Sequence, residues 1–312
     1  MIRTQPTMDE TIKVAIDGGL GDCLLVSAFV RHFKIVEGYR RVLCAVPHRA
    51  AELFDRNPHV DILIPCQSND LYLWGAPEEG CRVFCAYHRI VPADSSGPIP
   101  EFDGEPLFAP NQSPGTMVEQ LALHHRIPLT DPRPEIFTDP EDEQWADALH
   151  GSWSDRPAVL FNQASRFPQK DIPRPLLTEV VQRLSDEFEV VEMPTAPVPL
   201  PGTRLIQPLP GIRRTAALFR RLLTVITPDS LFGHLAAAVD LPAVVLFGPT
   251  TPFAFGHPGN LNLRPSVCPP CADTSRRKAC KRSVCLEEVT PDSVVEAVFS
   301  IAARRAPETL RG

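Results

Sequence analysis

The chain contains no run of apolar residues near the roughly 18 that a membrane-spanning helix needs. Its opening, MIRTQPTMDETIK, lacks the apolar core of a signal peptide, so the protein reads as cytoplasmic. Basic charge is not in excess either. Lys and Arg total 31 against 38 Asp and Glu, and the net charge of −7 argues against a dedicated nucleic-acid binder. No internal repeat is present. The P-loop pattern is missing, because no Gly-Lys-Ser/Thr follows a glycine-rich turn. No Asp-x-Asp occurs to hold a catalytic divalent metal, so none is expected.

What is present begins with proline, at 35 residues about twice the usual share, which predicts stiff, loop-rich connections. At 312 residues two domains are the natural expectation. Short apolar runs alternate with helical periodicity in both halves. TIKVAI (11–16), RVLCAV (41–46), VDILI (60–64) and CRVFCA (81–86) read as buried parallel strands, and Leu25, Ala28, Phe29 and Phe33 share one face of a helix over 22–36. In the second half, strands are predicted at 157–162, 188–193, 223–227 and 242–248, with helices over 174–187, 213–222, 232–239 and 291–305. TDPRPEIFTDPEDE (130–143) reads as the connection between the halves. The pattern predicts two doubly wound, Rossmann-like α/β domains, 1–150 and 151–312, facing across a ligand cleft. Residues 92–115 carry no periodicity and read as a loop.

The turn after the first strand, IDGGLGDCLL (16–25), is rich in glycine yet poorly suited to phosphate. Leucine stands where a dinucleotide fingerprint has its third glycine, and the second strand ends in Pro47-His48 with no acid for a ribose. Two readings of Asp22 remain. It caps the helix, or it is a general base beside which Gly19 and Gly21 let substrate approach the backbone. The stretch TPDSLFGHLAAAVDLPAVVLFGPTTP (227–252) is more specific. A strand ends at Thr227, Asp229-Ser230 open a helix, and a second strand ends in the turn Gly248-Pro249-Thr250. Two strand ends and a helix N-terminus meeting at one point suit an anionic phosphate, with Ser230 and Thr250 as donors. Asp229, an anion, would instead hold the turn or accept a ligand hydroxyl.

At these residues the chain resembles the heptosyltransferases of glycosyltransferase family 9. The family's Asp-Ser/Thr-Gly, His-Leu-Ala-Ala-Ala and Phe-Gly-Pro-Thr elements are matched by Asp229-Ser230, His234 to Ala238 and Phe247 to Thr250. Its N-terminal Gly-Asp is matched by Gly21-Asp22, and its basic segment resembles Ser165-Arg166 and Lys170. One departure is Leu231, where the family carries glycine. The resemblance implies a GT-B fold and transfer of a heptose from an ADP-activated donor, with inversion, to an acceptor hydroxyl. The acceptor stays open among lipopolysaccharide core, protein hydroxyl and small molecule. Asp22 would be the base, with Lys170, Arg166 and the Ser230 helix start stabilising the diphosphate. A nucleotide-sugar epimerase or hydrolase, or a non-catalytic nucleotide-sugar subunit, would share this plan. Without the family pattern, Arg166 and Lys170 read as solvated charges and His234 as a packing residue.

The nine cysteines fall into two groups. Cys23, Cys44, Cys66, Cys81 and Cys85 are scattered through strand-like contexts and read as small packing residues. Cys268, Cys271, Cys280 and Cys285 have the C-x2-C-x8-C-x4-C spacing of a structural thiolate site for Zn or Fe, with free thiols or disulfides as alternatives. Arg276, Arg277, Lys278, Lys281 and Arg282 would offset the thiolate charge. Relatives that modify protein serines carry a cysteine-bound iron finger in this region, and the resemblance implies a similar placement here.

Overall fold

The computed structural model describes residues 11–67, 70–71, 81–86, 114–266, 268–272, 280 and 284–305. Contacts divide the chain into two units, Met1–Pro110 with Met117–Phe137, and Asn111–Thr116 with Thr138–Gly312.

The first unit holds four parallel strands, β1 (Thr11–Ala15), β2 (Arg41–Pro47), β3 (Ile62–Cys66) and β4 (Cys81–Cys85), in the order β3-β2-β1-β4. The central β1 pairs on both edges, and Ile12 and Val14 are fully buried, as a strand covered on both faces requires. The helix expected over 22–36 is broken into Leu20–Leu25, Ser27–Arg31 and a wide π turn, His32–Val36. Ser27 explains the first break. Its hydroxyl donates to Leu24 O at 2.6 Å and accepts from Glu135 N at 2.8 Å, so a polar side chain enters the helical ladder. The apolar stripe survives: Leu25, Ala28, Phe29 and Phe33 are all buried. Cys23 and Cys44 are buried and Cys66, Cys81 and Cys85 partly so, and burial pushes the Cys85 thiol up to about 11.

The second unit is a six-stranded parallel sheet: β5 (Ala158–Phe161), β6 (Glu189–Glu192), β7 (Arg204–Leu205), β8 (Thr224–Pro228), β9 (Ala243–Leu246) and β10 (Leu261–Leu263). The order is β10-β9-β8-β5-β6-β7. The chain winds outward from β5 to β7, then returns to β8 on the other side, so the sheet changes direction between β5 and β8. Ligands of open α/β sheets bind at the carboxyl ends of strands at such a switch. Helix Arg174–Leu184 buries Leu176, Leu177, Val180, Val181 and Leu184, a stripe with i, i+4 spacing, and packs beside helix Pro291–Arg305. Phe161, Val244, Leu246, Val294 and Val298 complete that core.

Residues 138–150, assigned from the sequence to the first domain and partly to its connection, pack with the second unit. Helix Pro140–His150 lies on helix Ile212–Phe219, and Arg213 binds Asp142 at 2.9 Å while Arg221 binds Asp147 at 2.9 Å and Glu143. The Pro140 and acids that suggested a linker are an N-terminal helix signature. Asp139 caps it, accepting from Glu141 N and Asp142 N, with Pro140 in the first turn.

Candidate functional site

In the first unit, Asp22 is the third residue of helix Leu20–Leu25, and its Oδ2 accepts from Gly19 N at 2.9 Å. The carboxylate closes the helix end on itself, the capping geometry anticipated as one of its two readings. Glycine at position 19 leaves room for this contact, because a Cβ there would sit 3.1 Å from Asp22 Oδ2 and press on the carboxylate. Gly21 lies inside the helix rather than in the turn. Gly18, with φ of 153°, is the residue that gives the turn its unusual backbone, and Arg49 Nη2 donates to its carbonyl at 2.6 Å.

In the second unit, Lys170 follows β5 and Asp229 follows β8, which puts both at the switch point. Lys170 Nζ meets Asp229 Oδ2 at 2.6 Å. Asp229 is buried. Burial pushes its carboxyl up, but the Lys170 ammonium, with His234 beside it, outweighs this and holds it below the usual carboxylate range. The Phe167 and Phe255 rings flank the ammonium at 6.0 and 5.9 Å, limiting its access to water. Ser230 Oγ accepts from Phe232 N and so caps helix Leu231–Ala238. Thr250 is buried in the turn after β9. Among the described residues its Oγ1 has no hydrogen-bond partner of good geometry, although it lies near enough to Asp229 to help keep the carboxylate charged.

Sequence reasoning missed what holds these residues in place. Asn162, fully buried, donates to Thr227 Oγ1 at 2.9 Å and to Ser230 Oγ at 3.4 Å, and accepts from Thr195 Oγ1 at 2.7 Å. Next to it Gln163 donates to Glu192, a fully buried carboxylate that also accepts from Leu200 N and Thr203 Oγ1 at 2.7 Å each. Two amides directly after an apolar strand were the available signal. His257 was also missed. Its Nε2 lies 2.8 Å from His234 Nδ1. Burial pushes His234 down to about 4 against the pull of Asp229, and burial followed by His234 pushes His257 down to about 3. Arg166 is exposed and joins none of these contacts, and Leu231, where the family has glycine, is half-buried.

Gln169, Gly248, Cys268, Cys271, Cys280 and Cys285 contribute to the lining of one small cavity of about 30 Å³. Burial pushes the Cys285 thiol up to about 11, and charge on each of the other three cysteines would push it the same way, so all four lie close together. The donor set suits a soft metal by chemistry. Among the described residues, however, no group of three or more His, Cys, Asp or Glu is arranged to hold an ion. Cys271 N and Ala272 N donate to Pro249 O at 2.7 and 2.9 Å, tying this loop to the Thr250 turn. The basic residues Arg276, Arg277, Lys278, Lys281 and Arg282 lie outside the described residues, as do residues 92–113 of the loop expected at 92–115.

Residues 204–287 match the family model for glycosyltransferase family 9 (heptosyltransferase). Lipopolysaccharide heptosyltransferase 1 of Pseudomonas aeruginosa is 26% identical over 196 residues, 54% of this chain. The match spans 53% of that relative, so the chain covers about half its length. The family 9 glycosyl transferase of Veillonella parvula superposes with a TM-score of 0.73 at 15% identity, covering 96% of this chain and 100% of that one. ADP-heptose lipopolysaccharide heptosyltransferase II of Escherichia coli gives 0.69 at 16%, covering 96% and 100%. TibC, an iron-containing dodecameric glycosyltransferase of enterotoxigenic E. coli, gives 0.61 at 14%, covering 96% and 78%. These superpositions establish the α/β fold of the GT-B heptosyltransferases.

Proposed function

We propose, from the match of residues 204–287 to the glycosyltransferase family 9 model, that this chain moves a heptose or related sugar from an ADP-activated donor to an acceptor hydroxyl. The observation that carries this reading is the grouping of Lys170, Asp229, Ser230 and Thr250 at the strand ends where the second sheet changes direction. As the sugar–phosphate bond breaks, the diphosphate departs with negative charge. The amides at the Ser230 helix start, the Thr250 hydroxyl and the Lys170 ammonium supply fixed positive ends for it. Asp229 repels phosphate. It orients the ammonium through their ion pair and accepts hydroxyls of the sugar. Asp22 takes the proton of the acceptor hydroxyl as its oxygen attacks the anomeric carbon from the face opposite the leaving ADP, which inverts that centre. The related E. coli enzyme named for ADP-heptose supports the donor.

Cys268, Cys271, Cys280 and Cys285 would hold one structural Zn or Fe, as their shared cavity and the iron of TibC support. Bound there, the metal would cross-link the loop and take no part in transfer. Elemental analysis of purified protein should find close to one equivalent. Finding none, with thiol titration accounting for all nine cysteines, would leave the cluster as free thiols.

The function is tested by incubating the protein with ADP-heptose and candidate acceptors and reading products by mass spectrometry. A heptosylated acceptor is expected. Donor conversion without acceptor would replace transfer by epimerisation or hydrolysis, and ADP-heptose binding without any turnover would leave a non-catalytic subunit.

A further inference from the structure

We infer that Asn162 and Thr227 are positioning residues, which engage the Ser230 hydroxyl so fully that the diphosphate meets the backbone amides of the helix start and not the hydroxyl. This rests on the proposed use of that helix start in donor binding. Asn162 is the first residue after β5, and its backbone N donates to Ile226 O of β8 at 2.9 Å, which sets its side chain between the two strands at the switch. Asn162 and Thr227 are fully buried and offer no surface to a ligand, whereas Ser230 is half-buried at the start of helix Leu231–Ala238.

The hydrogen bonds leave one arrangement of the protons. Asn162 donates one N–H to Thr227 Oγ1 at 2.9 Å and the other to Ser230 Oγ at 3.4 Å, while its carbonyl accepts from Thr195 Oγ1 at 2.7 Å. Thr227 gives its single hydroxyl proton to Pro228 O at 2.9 Å. The 3.0 Å contact between Thr227 Oγ1 and Ser230 Oγ therefore takes its proton from Ser230. Ser230 Oγ also accepts from Phe232 N at 3.3 Å and from Asn162, which fills both of its lone pairs. Turning the Asn162 amide over does not satisfy the group. Its carbonyl would then need a proton from Thr227 or Ser230, leaving Pro228 O or the 3.0 Å contact without one. The Ser230 hydroxyl, which the sequence suggested as a phosphate donor, thus has no proton left to give. Its part in binding is to hold the helix start still, and a cradle fixed beforehand loses less freedom when the diphosphate arrives.

Neutron diffraction from crystals of deuterated protein, free and with ADP, reads the hydroxyl directly. The Ser230 deuteron is expected to point at Thr227 Oγ1 in both states. A deuteron aimed at a phosphate oxygen, or away from Thr227 in the free protein, overturns the inference. The second arm measures ADP affinity by calorimetry on variants that circular dichroism shows to be folded. Thr227→Val keeps the shape but offers Ser230 no acceptor, and should weaken ADP binding about tenfold, as should Asn162→Ala. Thr227→Ser keeps the hydroxyl and should stay within about twofold, even though its lost methyl lowers stability. Should Asn162→Ala fail to fold, the Thr227 pair decides. Equal affinities in the two Thr227 variants, or tighter binding by Thr227→Val, would overturn the inference as well. If the wild-type protein binds no ADP, the proposed donor fails on its own, and the deuteron position in the free protein then decides whether Asn162 and Thr227 hold the hydroxyl.

Discussion

Asp22 is the residue at which a local role and the proposed chemical one can be separated by substitution. It accepts from Gly19 N, so substitution by alanine removes a helix cap, at about 1 kcal/mol. Asparagine keeps the accepting oxygen and discards the basicity. Asp22→Asn should therefore leave denaturant stability within about 0.5 kcal/mol while transfer falls at least about 100-fold with ADP binding retained. Turnover near the wild-type rate would remove Asp22 from the mechanism. Lys170 poses the complementary case, because it neutralises a buried anion. Lys170→Met should destabilise the protein at neutral pH by about 3 kcal/mol, since Asp229 is left buried and unpaired. The sign follows from linkage. Asp229 titrates below its unfolded value, so the pair stabilises fully above the unfolded pKa of about 3.9 and its contribution is lost as pH falls through the folded value. Urea titrations of both proteins should therefore converge only as pH falls below the folded value of Asp229, which lies under 3.8.

At the scale of the element, caps and close approaches decide where helices begin and turns fit. Ser230 caps helix Leu231–Ala238 and is held by Asn162 and by Thr227, whose hydroxyl lies 3.0 Å away. Ser230→Ala should cost about 1 kcal/mol in chemical denaturation and weaken ADP binding in calorimetry, whereas a cap with no ligand role would lose stability alone. The strands were legible from the sequence because each is an apolar run between turn residues; β5, β6, β8 and β9 all lie within the predicted runs or one residue beyond them. The short edge strands β7 and β10 were not, being two and three residues long with no periodicity to read. The first turn of helix Pro140–His150 falls in the proline- and acid-rich stretch 130–143 that reads from the sequence as the connection. At a first helical turn the same residues are favourable, and only the packing partner separates the two cases.

On the scale of the whole molecule, the placement of that helix has a measurable consequence. Arg213, Arg214, Arg220 and Arg221 on or just after helix Ile212–Phe219 engage acids of the 139–147 segment. A fragment starting at residue 138 should unfold cooperatively in urea, and one starting at 151 should have a lower midpoint or no sharp transition. Equal midpoints would mean that the helix adds nothing to the second unit. The amino-acid sequence by itself determined the α/β class, the alternation of strands and helices in both units and the helix start at Ser230, because strand and helix periodicity and helix-start chemistry are local properties of the chain. Tertiary structure alone decided that Lys170 is bound to Asp229 across 59 positions, that His257 meets His234 across 23, and that Asn162 and Glu192 are buried hubs. Those pairings depend on which strands become neighbours at the switch between β5 and β8, and strand order is set by packing of the whole sheet rather than by any local stretch of residues.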